Sequence, residues 1–122
     1  MSFDADPRHV ETARRVTAAV LGKASITDCE TVGTVQLLVS ELVTNAIVHG
    51  NADSVGLQLT CDDLGEVLIK VDDHSSGSPE VREPCADDEG GRGMQLVTYF
   101  ASEWGRKGTS TWCTLHVGSA AA

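Results

Sequence analysis

The longest helical pattern in the chain runs from Thr27 to Gly50, and two runs that alternate with a period of two follow it, Ser54 to Cys61 and Glu66 to Val71. Apolar residues spaced by three and four mark one face of a helix, whereas alternation marks one face of a strand. That order commits the chain to a helix packed on a sheet. Thr27 with Glu30 predicts the capping box that opens the helix. Asp62-Asp63-Leu64-Gly65, between the two alternating runs, has hairpin-turn chemistry and makes the strands antiparallel neighbours.

The flanks extend this frame. Val10, Ala13, Val16, Ala19 and Val20 recur at helical spacing between Pro7 and Leu21, with Asp6 as the expected N-cap, Pro7 as the first helical residue and Gly22 as the end. Residues 74 to 93 carry Gly, Pro, Ser, Asp and Glu with little periodicity, which predicts a long loop of a functional kind. Helical spacing returns after Gly93 in Met94, Leu96, Val97, Phe100 and Ala101. Trp104 and Thr111 to Val117 then predict two closing strands around a Gly105 to Gly108 turn, and Gly118 to Ala122 a frayed tail. The expected fold is α+β, a two-layer sandwich with about three helices on one face of a mixed, mostly antiparallel sheet of four to five strands. Its 122 residues form a single domain, with no internal repeat.

Charge narrows the function. Nine Lys and Arg stand against 18 Asp and Glu, a net charge of −9. A nucleic-acid or anionic membrane partner calls for the opposite sign, so neither is expected. A phosphate ligand needs local backbone N–H groups and a metal ion to overcome the repulsion. Cys29, Cys61, Cys85 and Cys113 form no C-x-x-C pair, and each is expected to be a small buried or half-buried apolar residue. With no leader pattern and no apolar stretch expected to span a bilayer, the predicted location is the cytoplasm.

Three groups of residues can carry chemistry. Glu41, Asn45 and His49 step along the edge of the long helix, beside the apolar side formed by Val39, Leu42, Val43 and Ala46. A carboxylate and an amide one turn apart can present oxygens to Mg²⁺ or its water, and the carboxylate can take a hydroxyl proton. A solvated helix edge is the competing reading. In Val71-Asp72-Asp73-His74-Ser75-Ser76-Gly77 a strand runs into an Asp-x-Ser-x-Gly turn, where Asp73 can accept a purine amine and Gly77 admits a flat base. An acidic turn, or a metal site built from Asp72, Asp73 and His74, competes with it. Third, Glu89-Gly90-Gly91-Arg92-Gly93-Met94 places glycine amides before a helix, where anions bind, although a simple hinge would look the same.

In this order the three groups resemble the GHKL ATPases, the superfamily of gyrase, heat-shock chaperone, histidine kinase and MutL type. Ser40 to Gly50 looks like the N box, Asp73 to Gly77 like the G1 box, Gly91-Arg92-Gly93-Met94 like the G2 box, and Gly108-Thr109 like the closing Gly-Thr. The Gly90 to Gly93 run, Trp104-Gly105 and the Trp112 strand are most similar to the RsbW-like anti-sigma-factor serine kinases. Ser75 departs from the pattern, standing where the first G1 glycine is usual, and Asp87, Asp88 and Glu89 make the lid acidic.

The resemblance implies the Bergerat ATP-binding fold, with ATP and Mg²⁺ as cofactors. It would make Glu41 the general base or water-positioning residue and Asn45 the Mg²⁺ ligand. Asp73 would read adenine with Gly77 beside it. Gly91 and Gly93 would contact the triphosphate, flanked by Arg92 and Met94, while His49 and Thr109 would complete the pocket and residues 78–89 would form the lid. The implied activity is an ATP-dependent serine/threonine protein kinase that phosphorylates a small antagonist (anti-anti-sigma) protein and sequesters a sigma factor, with homodimerisation a further expectation. The alternatives are a nucleotide-gated binding module without transfer activity and a plain acidic interaction domain. Val10, Arg14 and Thr17 of the first helix offer one partner surface, against the reading of a solvated helix face.

Overall fold

The computed structural model describes residues 2–49, 54–74 and 89–117. Its elements are β1 (Ser2–Asp4), α1 (His9–Lys23), α2 (Cys29–His49), β2 (Ser54–Cys61), β3 (Glu66–Asp72), α3 (Glu89–Phe100), β4 (Glu103–Lys107) and β5 (Ser110–His116). The strands form one sheet in the order β1-β2-β3-β5-β4, every pairing antiparallel. Among the described residues three helices pack against it, the expected α+β layering, and the sheet is antiparallel throughout rather than mixed.

Alternation decides which strand residues meet the helices. Val55 and Leu57 of β2, Val67, Ile69 and Val71 of β3, and Thr111, Cys113 and Leu115 of β5 are buried. From above, α2 contributes Val35, Leu38, Val39, Leu42, Val43 and Ala46, joined by Ala13 and Leu21 of α1 and Val97 of α3. Each fully buried Val or Leu stabilises the fold by roughly 1.5–3 kcal/mol relative to exposure, so this layer holds the sandwich together. By length and composition, Cys29–Val48 within α2 is apolar enough to cross a membrane, contrary to the expectation from the sequence. Here its apolar face is spent on the core.

Several boundaries differ from the sequence reading. Helix α1 starts at His9, because the Asp6 carboxylate accepts the Arg8 amide at 2.9 Å and so caps a turn ahead of the helix. It runs past Gly22 to Lys23; the left-handed residue that ends it is Ser25 (φ 64°), whose amide donates to the Gly22 carbonyl. Helix α2 is capped by Asp28, which accepts the Thr31 amide at 3.0 Å, and not by Thr27. The last turn sits at Gly108-Thr109, and Gly105 lies within β4 opposite Trp112.

The β2–β3 turn forms where expected. The Asp62 carboxylate accepts the amides of Leu64 and Glu66, both at 2.9 Å, and Gly65 adopts φ 83°. Strand β1 lies outside the sequence reading, since three residues are too few for an alternation to register. Of the partner surface expected on the first helix, Thr17 is fully buried and cannot take part, whereas Val10 is half-buried and Arg14 exposed. Cys113 is buried and Cys61 half-buried as expected, but Cys29 is exposed.

Candidate functional site

Helix α2 packs between α1 and α3 and lies over β2 and β3. Glu41 and Asn45, four residues apart, are both half-buried beside the buried Leu42, Val43 and Ala46. One turn of helix separates them on the rim of the core. His49 closes α2, and its side chain lies outside the described residues.

Asp73 follows β3 directly. Its amide donates to the Thr109 carbonyl at 3.0 Å, which extends the β3–β5 ladder by one step. Alternation puts its carboxylate on the helix-covered face with Ile69 and Val71, and only 8% of the residue is exposed. There Arg106 Nη2 lies 3.0 Å from Oδ2 and 3.3 Å from Oδ1. The same guanidinium donates through Nη1 to Thr111 Oγ1 at 3.0 Å, and Arg106 and Thr111 are direct partners in the β4–β5 ladder. Three strands thus converge on one carboxylate.

Asp72 points to the other face. Its Oδ1 accepts the Thr109 hydroxyl at 2.6 Å and the His74 amide at 2.8 Å, while His74 Nδ1 lies 3.5 Å from Oδ2. Burial, the largest single influence, pushes the Asp72 pKa up. The hydrogen bonds from Thr109 and His74, with the nearby His74 and Lys70 charges, outweigh it and leave the pKa below 3.8. Because the adjacent carboxylates diverge, Asp72, Asp73 and His74 do not converge on one metal position. Thr109, which the resemblance assigns to the nucleotide pocket, turns its hydroxyl to Asp72 and accepts the Asp73 amide at its carbonyl.

Helix α3 begins at Glu89, so Gly90, Gly91, Arg92, Gly93 and Met94 are helical where a loop was expected through Gly93. The first backbone N–H groups of a helix lack intrahelical partners, and here they include those of Gly90 and Gly91, whereas Gly93 lies one turn in. Gly77, Ser75, residues 78–88 of the lid and the 118–122 tail lie outside the described residues. A cleft of about 660 Å³ is found elsewhere, beside β2, lined by Val16, Val20, Gln58, Lys70, Asp72 and His74 among others. It contains none of Glu41, Asn45 and Asp73.

Arg106 and Thr111 escaped the sequence reading. Alternation through Thr111, Cys113 and Leu115 carried the signal for Thr111, but Arg106 is 33 residues from Asp73 and only the sheet order joins them.

Comparison with known proteins agrees with this arrangement. The model of the histidine kinase-like ATPase domain matches residues 3–115. Among solved structures, the histidine kinase domain from the blue-light activated histidine kinase of Erythrobacter litoralis EL346 superposes with a TM-score of 0.51 at 25% identity. The match covers 92% of this chain and 59% of that one, so the chain spans little more than half of its structural relative. No curated protein matches. A buried acid at the end of β3, a helix edge carrying Glu and Asn, and a glycine-rich helix start, on a fold matched across nearly its whole length, place this chain in the family of histidine kinase-like ATPase domains, ATP-binding modules of the GHKL superfamily.

Proposed function

We propose that the chain binds Mg·ATP and transfers the γ-phosphoryl group to a serine or threonine of a small antagonist protein, in the manner of an anti-sigma-factor kinase that also sequesters a sigma factor, in the cytoplasm. The observation that carries the nucleotide part is Asp73, a buried carboxylate on the helix-covered face of the sheet, where α2 carries Glu41 and Asn45. An ionised carboxylate is acceptor-only, which suits the exocyclic amine of adenine.

The residues present fit the cofactors. The Asn45 side chain supplies a neutral oxygen of the kind Mg²⁺ takes alongside phosphate oxygens, and the amides at the start of α3 suit the phosphates. Magnesium bound with ATP supplies charge neutralisation at the phosphates. Glu41 accepts the proton of the acceptor hydroxyl as its oxygen forms the new P–O bond and the bond to the β-phosphate oxygen breaks, releasing ADP.

The test is calorimetric titration of Mg·ATP and Mg·GTP into the chain and into Asp73→Asn. Preference for ATP that disappears in the variant supports the reading; no binding at millimolar nucleotide rejects it. The Arg106 ion pair on Asp73 favours a second reading, a nucleotide-gated binding module without transfer, because the base-reading acid already has a partner. Incubation with ATP and a candidate antagonist protein separates the two, since a module without transfer leaves that protein unphosphorylated and releases no ADP.

A further inference from the structure

The guanidinium of Arg106 reaches both oxygens of Asp73 through one terminal nitrogen, at 3.0 and 3.3 Å, and is anchored from behind by the Thr111 hydroxyl at 3.0 Å. The two side chains are 27% and 10% exposed, so water screens the pair poorly. Charge-assisted hydrogen bonds are roughly twice as strong as neutral ones. The amine of adenine is a neutral donor, and it meets an acid already engaged by a cation.

We propose that Arg106 is an affinity-determining residue of the base pocket, occupying from within the chain the carboxylate that a purine amine must use. The inference rests on the nucleotide reading of Asp73 and adds a sign to it. Removing Arg106 leaves a nearly buried acid short of its charged partner, which destabilises the ligand-free protein. An incoming amine then relieves that deficit. Nucleotide binding is therefore tighter without Arg106, and Thr111 contributes to the effect by holding the guanidinium in place.

The experiment is calorimetric titration of Mg·ATP into the wild type, Arg106→Met, Arg106→Lys, Thr111→Val and Asp73→Asn, with a thermal melt of each with and without nucleotide. Arg106→Met is expected to bind ATP about tenfold more tightly than the wild type and to regain, at saturating ATP, the melting temperature it loses without it. Arg106→Lys, which keeps the charge, should stay within about twofold of the wild type, and Thr111→Val should gain about threefold. Thr111→Val retains both charges, so it carries the test if Arg106→Met does not fold. If ATP binds the wild type through Asp73 while neither variant binds more tightly, Arg106 is a structural support and this inference alone falls. If none of the variants nor the wild type binds ATP, the nucleotide reading falls and takes the inference with it.

Discussion

The Thr109 hydroxyl donates to Asp72 Oδ1 at 2.6 Å, tying the turn between β4 and β5 to the end of β3. Asp72 is depressed below 3.8, so its contribution to stability is present above that value and is lost as pH falls through its lower folded pKa. Thr109→Val should cost about 1 kcal/mol near neutral pH, given that Asp72 is partly exposed. The difference from the wild type should shrink below about pH 3.8 as Asp72 becomes protonated. Urea unfolding at pH 7, 5 and 3 checks this, and a gap that stays constant down to pH 3 would contradict it.

Gly65 is required twice over. It sits at φ 83°, and a Cβ there would come within 2.9 Å of the Val117 carbonyl oxygen, a backbone atom that cannot swing away. Its own carbonyl accepts the Val117 amide at 2.8 Å. Gly65→Ala should cost about 2 kcal/mol, combining left-handed strain with the steric contact. A shift in the denaturant midpoint measures it; a variant as stable as the wild type would mean that the turn relaxes freely.

The cysteines should separate by burial. In a Cys85→Ser background, a water-soluble maleimide at pH 8 should modify exposed Cys29 first and half-buried Cys61 more slowly, leaving Cys113 unmodified until urea unfolds the chain. Burial pushes the Cys113 thiol up to about 12, and burial with nearby Asp62 and Asp63 raises Cys61. Both thiols therefore favour the folded state below about pH 9, an advantage that fades as pH rises from there toward their folded values. Rapid modification of native Cys113, read by mass spectrometry, would show that the core opens.

Glu41 and Asn45 should separate chemistry from binding. With ATP and the acceptor protein both present, Glu41→Ala is expected to lower phosphoryl transfer by about 10²- to 10⁴-fold, the usual worth of a general base, with ATP affinity nearly unchanged. Asn45→Ala should weaken binding chiefly where Mg²⁺ is present. Equal loss of binding and turnover in Glu41→Ala would reject this division.

Much of the fold was legible because its signals are local. The period-two runs predicted β2 and β3 to within a residue, and the turn between them is held by Asp62 and Gly65 as their chemistry indicates. Boundaries shifted wherever a neighbouring residue supplied a better cap, as Asp28 does for α2 and left-handed Ser25 does after α1. Part of the candidate site was legible too. Glu41 and Asn45 sit on the rim of a core helix and Asp73 at the end of a strand, but the glycines expected in a loop are already helical.

By itself the sequence determined the kinds of element, their order and the faces they bury, because helix and strand periods are properties of consecutive residues. Only the tertiary structure decided how Asp72 and Asp73, adjacent and chemically identical, divide their work. One is tied to Thr109 and His74 on one side of the sheet, the other to Arg106, itself held by Thr111, on the opposite side. That division depends on β5 lying between β3 and β4, which brings residues 33 apart into contact. No local pattern encodes such a neighbour; the sheet supplies it.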